Sequence, residues 1–154
     1  MANNKKTAFQ VAIENTPEVK AGYCSGLKAV KGSDRAKIVP SQPLLINGSL
    51  DIDTCVKNIY PDNNRWDYAI SYNNKITFLE IHPAYDKEIK VLQEKLGWLK
   101  TWLKSNAPQI AALPKSDKPF CWMPSGETGF LSTSVSRKKI ALLGISFESR
   151  LTLK

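Results

Sequence analysis

Two runs of aromatic and β-branched residues, separated by two asparagines, form the clearest pattern in the chain. They cover 66–72 and 75–82, and Asn73-Asn74 between them is typical of a two-residue reversal. The pattern predicts a β-hairpin. Pro83 ends the second strand, because proline cannot donate a ladder hydrogen bond.

A long amphipathic helix is predicted directly after the hairpin, over 86–105. Asp86 is expected to be its N-cap. A second helix is predicted over 132–143, ending at Gly144 and followed by a basic tail. The apolar stripe of the long helix consists of Ile89, Leu92, Leu96, Leu99 and Leu103.

The part of the chain before the hairpin has a weaker pattern. Residues 7–31 favour two helical pieces or one kinked helix, with Thr16 as N-cap and Pro17 at the first helical position of the second piece. Residues 31–34 are expected to end that unit. A first strand is predicted near 43–46.

Shorter signals complete the predicted order of elements. Asn47-Gly48 favours a tight reversal after the first strand, and 54–60 favours a short helix or turn capped by Asp53. A short buried strand is predicted at 120–123, and Phe130-Leu131 is a candidate for another. The order is then α-β-β-β-α-β, which predicts an α/β (α+β) fold with a mixed central sheet flanked by helices.

Composition agrees with one globular domain over 1–154, since 42% of the residues are hydrophobic and 23% are charged. No apolar run is long enough to cross a bilayer, and the first residues lead into an amphipathic stretch. We therefore expect a cytoplasmic protein without membrane segments. Cys24, Cys55 and Cys121 include no Cys-x-x-Cys pair, which favours free thiols over a disulfide framework or a zinc ribbon.

A net charge of +8 predicts a positive field that attracts a polyanion or an acidic partner. Nucleic acid and an acidic protein surface both fit this charge. The candidates for phosphate contact lie early in the long helix and in the compact C-terminal basic cluster: Lys87, Lys90, Arg137, Lys138 and Lys139.

The hairpin brings two acids together. If Asn73-Asn74 is the loop, Tyr72 faces Lys75, and pairing outward from there sets Asp67 opposite Glu80. Directly opposed residues have Cβ atoms about 4.5–5.5 Å apart, and like charges at that distance destabilise a sheet. Three things can offset the repulsion: a cation from Arg65 or Lys75, a proton on one carboxylate, or a divalent metal ion shared by both.

The alternation of side chains supports the metal ion. His82 lies on the face of Glu80, one step beyond the carboxylate pair, where it would be a basic neighbour to a bound ion. The other face is expected to hold one core-facing set, which consists of Trp66, Tyr68, Ile70, Leu79 and Ile81.

Asp67 followed by Glu80-Ile81-His82 on the adjacent antiparallel strand resembles the PD-(D/E)XK nuclease superfamily. Members of that superfamily place an Asp on one strand and Glu-x-Lys on the next. The likeness extends in element order over about 7–123, and it departs from the pattern at His82, which stands where the motif has lysine.

The resemblance implies a metal-dependent nuclease in which Asp67 and Glu80 hold Mg²⁺ or Mn²⁺. His82 would then act as a general base or a third ligand, or Lys87 or Lys90 would supply the missing cation. An acid of the first helix, Glu14 or Glu18, would complete such a site.

Two alternatives stay open. The first is a catalytically inactive nuclease-fold protein that binds nucleic acid or a protein partner. The second is an interaction protein that uses Trp98 and Trp102, one helical turn apart, as a homodimer or complex interface, although a packing pair explains these two tryptophans equally well.

Overall fold

The protein, described by a computed structural model over residues 5–125 and 134–154, contains two β-sheets. Strands β2 to β6 form a five-stranded sheet in the spatial order β2-β3-β4-β5-β6, and β1 pairs with β7 in a separate parallel pair. The strands are β1 (Ile38–Pro40), β2 (Ile46–Asp51), β3 (Tyr68–Tyr72), β4 (Lys75–His82), β5 (Lys115–Pro124), β6 (Ser146–Phe147) and β7 (Leu151–Leu153).

The helices of the described residues are mostly short, and only one of them exceeds ten residues. They are α1 (Ala8–Glu14), α2 (Gly32–Arg35), α3 (Ile52–Val56), α4 (Ile89–Ser105), α5 (Pro108–Ala111) and α6 (Ser134–Leu142). Single 3₁₀ turns lie at Pro17–Val19, Pro43–Leu45 and Asp86–Glu88. No helix in the described ranges is long and apolar enough to span a bilayer.

The large sheet is mixed, as the sequence predicts. Strands β2, β3 and β4 form an antiparallel meander, and α4 then crosses over to β5, which runs parallel to β4. A further short strand, β6, pairs in parallel with β5. The α-β-β-β-α-β order is therefore confirmed, with α1, β2, β3, β4, α4 and β5 as its members.

The hairpin between β3 and β4 has the predicted register. Asn73 and Asn74 both have positive φ angles, 48° and 62°, as a type I′ reversal requires. Tyr72 faces Lys75 across this turn, and the pairing continues outward to Tyr68 opposite Leu79. Asparagine tolerates the left-handed region better than most residues, so the turn is fixed by local chemistry.

Both faces of the large sheet are buried. The stripe of α4 packs on the face that carries Ala69 and Phe78, while the β1–β7 pair covers the face of Ile70 and Leu79. The predicted core-facing set is wrong for Trp66, which packs edge-on to Phe120 on the α4 side. Trp66 precedes β3, so the alternation of the strand does not extend to it.

The predicted reversal at Asn47-Gly48 is wrong, since both residues lie within β2. The register shifts between Ile46 and Gly48, and Asn47 is the extra residue of this irregularity. Gly48 has a φ of 151°, and a Cβ there would lie 2.4 Å from Cε2 of Tyr23. The glycine therefore allows a ring to pack against the strand instead of turning the chain.

The N-terminal predictions are partly confirmed. Helix α1 forms, and Thr16 and Pro17 take the predicted N-cap and first positions of the turn that follows, but the Thr16 hydroxyl donates back to Ala12 O at 2.8 Å and makes no side-chain cap. Only the 3₁₀ turn at Pro17–Val19 follows, and Gly26 reverses the chain with a φ of 55°. Residues 31–34, expected to end a helical unit, instead begin α2.

Three boundary predictions also fail. Residues 43–45 form a 3₁₀ turn, and the strand begins only at Ile46. Asp51, not Asp53, caps α3 by accepting from Thr54 N. Asp86 opens a 3₁₀ turn and makes no side-chain cap to α4.

The C-terminal part contains more strand than the sequence predicts. The strand at 120–123 belongs to the longer β5, and β6 and β7 stand where a basic tail is expected. The helix α6 and its end at Gly144, which has a φ of 79°, agree with the prediction. Phe130-Leu131 lies outside the described residues. All three cysteines are free thiols.

Candidate metal centre at the open end of the hairpin

Asp67 and Glu80 lie one step beyond the last ladder pair of β3 and β4, at the end opposite the Asn-Asn turn. The backbone N–H of Asp67 donates to Glu80 Oε1 at 3.1 Å. The backbone N–H of Ile81 donates to Asp67 Oδ2 at 3.0 Å. Each carboxylate therefore binds the backbone of the opposite strand, and the two acids are brought together as the register predicts.

Glu80 is fully buried, whereas Asp67 is partly exposed. Burial, together with the charge of Asp67, raises the pKa of the Glu80 carboxyl to about 8, although Lys95 acts in the opposite direction. Burial also raises the pKa of Asp67. At neutral pH, the proton therefore offsets much of the repulsion between the two acids.

Lys95 of α4 supplies a cation to the site. Its Nζ lies 2.9 Å from Glu80 Oε2 and donates a hydrogen bond to Arg65 O at 3.0 Å. Glu80 Oε2 is therefore occupied by a buried ammonium group, and a metal ion at this oxygen would have to replace Lys95.

The sequence reasoning missed Lys95 in this role. Lys95 lies between Leu92 and Leu96, at the edge of the buried stripe, so its aliphatic stem is carried toward the sheet. Lys100 and Lys104 lie beside the same stripe and are exposed, so no signal in the sequence distinguishes Lys95 from them.

The cations proposed from the sequence lie elsewhere. Arg65 pairs with Asp53 at 2.8 Å, and Lys75 begins β4 at the turn end of the hairpin. Lys87 and Lys90 are exposed, so neither replaces the motif lysine. Lys87 precedes α4 and Lys90 lies in its first turn, whereas the helix comes close to Glu80 only one to two turns later, at Lys95.

His82 lies between two acids. Its Nε2 is 2.9 Å from Glu88 Oε2, and its Nδ1 is 3.8 Å from Glu80 Oε2. The pair with Glu88 fixes the orientation of the ring and turns Nδ1 toward the carboxylate site. His82 thus lies beside the site on the expected face, held by an acid that the sequence reasoning did not single out.

The acids predicted to complete the site do not join it. Glu14 pairs with Lys6 at 2.8 Å. Glu18 accepts hydrogen bonds from Tyr60 Oη and from Nε1 of Trp102, which lies two helical turns along α4 from Lys95. The carboxylate of Glu18 therefore anchors an aromatic cluster, in which the rings of Trp98 and Trp102 stack at 5.7 Å.

The oxygen donors that are present fit a hard divalent cation. No group of three or more His, Cys, Asp or Glu ligands occurs within 5–125 and 134–154. Mg²⁺ commonly uses only one or two carboxylates and completes its shell with water and phosphate oxygens. Asp67 and Glu80 would meet that minimum if the cation replaced Lys95 at Oε2 of Glu80.

The basic cluster Arg137-Lys138-Lys139 is exposed on α6 and belongs to a different element from the carboxylate pair. Ser125 N donates to His82 O at 3.2 Å, which places the end of β5 beside the site.

Comparison of the chain with protein-family models, with curated proteins and with solved structures found no match.

Proposed function

We propose that this protein is a metal-dependent nuclease that hydrolyses phosphodiester bonds of nucleic acid at the site formed by Asp67, Glu80 and Lys95. The observation that carries the proposal is the pairing of Asp67 with Glu80 at the open end of the hairpin, with a lysine 2.9 Å from the second acid. Two acids and a lysine are the side chains that this chemistry needs.

Asp67 and Glu80 are the residues that would hold Mg²⁺ or Mn²⁺. A bound ion of this kind supplies polarisation of a phosphoryl oxygen and lowers the pKa of water. The Lys95 ammonium, once released from Glu80, would stabilise negative charge that develops on the phosphate. His82, oriented by Glu88, is placed to accept a proton through Nδ1.

The net charge of +8 supports nucleic acid as the substrate class, because it attracts a polyanion at long range. Lys87, Lys90, Arg137, Lys138 and Lys139 remain the proposed phosphate contacts. All five are exposed.

One observation favours a second function, that of a nucleic-acid-binding protein without catalytic activity. Glu80 is fully buried, and Lys95 already lies against the oxygen that a metal ion would need. A cation must therefore displace both a proton and an ammonium group. If that displacement fails, the basic surface still binds, and turnover is lost.

The test combines titration of Mn²⁺ at pH 8 with cleavage assays on plasmid DNA and on RNA. We expect Asp67→Asn and Glu80→Gln to weaken Mn²⁺ binding by at least about tenfold and to reduce cleavage by more than about a hundredfold. Asp62→Asn, which changes an exposed acid outside the site, is the matched control and should leave both unchanged.

The outcomes separate the two functions. Cleavage that requires Mn²⁺ and both acids supports the nuclease. Binding of nucleic acid in EDTA, with neither metal binding nor cleavage by the wild type, supports the non-catalytic protein. Cleavage that persists in Asp67→Asn overturns the assignment of the site.

A further inference from the structure

A cavity lies on the face of the large sheet opposite the carboxylate pair, near the turn end of the hairpin. It has a volume of about 420 Å³ and is lined by the first residues of β4, by β5 and by β7. Thr77 contributes to its wall and points to the opposite face from Glu80, three residues and about 10 Å further along the same strand. The cavity is therefore separate from the candidate metal centre.

The wall of this cavity carries more positive than negative side chains. Among the described residues of the wall, Lys75, Lys118, Arg150 and Lys154 are cationic and Asp117 and Glu148 are acidic. Lys118 and Glu148 form an exposed pair at 3.7 Å. The other three cations form no ion pair with any residue of the described ranges.

Hydroxyl groups add hydrogen-bonding capacity to the same wall. Thr77 Oγ1 and Ser116 Oγ lie 2.7 Å apart, and Thr77 is almost fully buried. Tyr72 Oη accepts from the backbone N–H of Gln42 at 3.0 Å, and its own proton goes to no acceptor in the described part of the chain. A hydroxyl donor and several cations around one cavity match the oxygens of a phosphate group.

We propose that this cavity binds phosphate groups, with Lys75 and Arg150 as the principal contacts. Its volume accommodates a nucleotide-sized anion. The phosphate could belong to a free polyphosphate or to a nucleic-acid strand, which present the same oxygens. The proposal does not rest on the nuclease function, because the metal centre lies on the other face of the sheet.

The test is isothermal titration in EDTA at low salt with two probes, inorganic tripolyphosphate and a 12-nucleotide oligothymidylate. The variant Lys75→Ala/Arg150→Ala should weaken binding about tenfold, since each exposed charge contact contributes a few-fold. The control, Lys20→Ala/Lys57→Ala, removes the same net charge from exposed lysines on the other side of the molecule and should change affinity less than twofold. Thermal unfolding verifies that both variants fold.

Binding of either probe that depends on Lys75 and Arg150 supports the site. A loss confined to tripolyphosphate identifies a small-anion site, and a loss confined to oligothymidylate identifies part of a strand-binding track. Equal losses in both double variants, or no binding by the wild type, overturn the proposal. Asp67→Asn should bind both probes like the wild type. The phosphate-binding result can therefore be interpreted even if the protein is not a nuclease.

Discussion

Lys95 Nζ lies 2.9 Å from Glu80 Oε2, although the two residues belong to different elements, α4 and β4. Burial raises the pKa of the same carboxyl group to about 8, so it holds a proton at neutral pH, and it is also the group proposed to bind a metal ion. Proton, ammonium and cation therefore compete for one buried carboxyl group. This competition makes stability, metal binding and activity all depend on pH.

The first prediction concerns stability. The folded-state pKa of Glu80, about 8, is above its ordinary value of 4.5, so the native state holds a proton that the unfolded state releases. The contribution of Glu80 to the free energy of unfolding should therefore be largest below pH 4.5. It should fall by up to about 1.4 kcal/mol per pH unit between pH 4.5 and pH 8. Glu80→Gln should flatten this slope in urea unfolding at several pH values.

Glu94→Gln provides the control for that experiment, since Glu94 is an exposed acid of α4. It should leave the slope between pH 5 and 8 as in the wild type. A wild-type stability that stays flat or rises across this window, with the same behaviour in Glu80→Gln, would contradict a raised pKa for Glu80.

The second prediction concerns Lys95. Replacing it with methionine keeps most of the apolar stem and removes the charge that favours ionised Glu80. At pH 6 the substitution should lower the free energy of unfolding by less than about 1 kcal/mol, because Glu80 is protonated there. At pH 9 the loss should grow to about 2–3 kcal/mol, because an ionised carboxylate that is buried without a partner destabilises the fold. Lys104→Met, an exposed position in the last turn of α4, should show no such dependence on pH.

The third prediction concerns metal affinity and depends on the proposed function. A cation that binds Glu80 must displace its proton, so the affinity for Mn²⁺ should rise up to about tenfold per pH unit below pH 8 and level off above it. Titration in two buffers of different ionisation enthalpy measures the protons released. Affinity that does not change between pH 6 and 8 would show that Mn²⁺ binds without Glu80.

The fourth prediction compares two glycines. Gly48→Ala should destabilise the protein by more than about 2 kcal/mol, since its Cβ would meet the ring of Tyr23 and O of Cys24, at 2.4 and 2.9 Å, from a positive φ. Gly97→Ala, in the interior of α4 with open space around it, should stabilise by about 0.5–1 kcal/mol. Thermal and urea unfolding measure both. A Gly48→Ala variant as stable as the wild type would show that β2 can move away from Tyr23.

Features fixed by neighbouring residues could be predicted from the sequence. The Asn73-Asn74 turn sets the register of the hairpin, which in turn brings Asp67 to Glu80. The buried stripe of α4 also agrees with its spacing. In both cases the chemistry of adjacent positions determines the result.

Features fixed by distant contacts could not be predicted. Lys95 differs from other lysines of α4 only in what the helix packs against. Asn47-Gly48 has the composition of a turn, but Asn47 Oδ1 accepts hydrogen bonds from Ser71 Oγ and Asn74 N, at 2.9 and 2.8 Å, which hold it in the sheet. Tertiary partners overrule the local preference at both positions.

The parallel pairing of β1 with β7 joins an early segment of the chain to its last described strand. Closing so long a loop has a large entropic cost, which slows formation of the contacts that depend on it. We therefore expect the β1–β7 pair to form late during folding and to separate early during unfolding. Hydrogen exchange should accordingly be faster for the amides of Leu151–Leu153 than for those of β4.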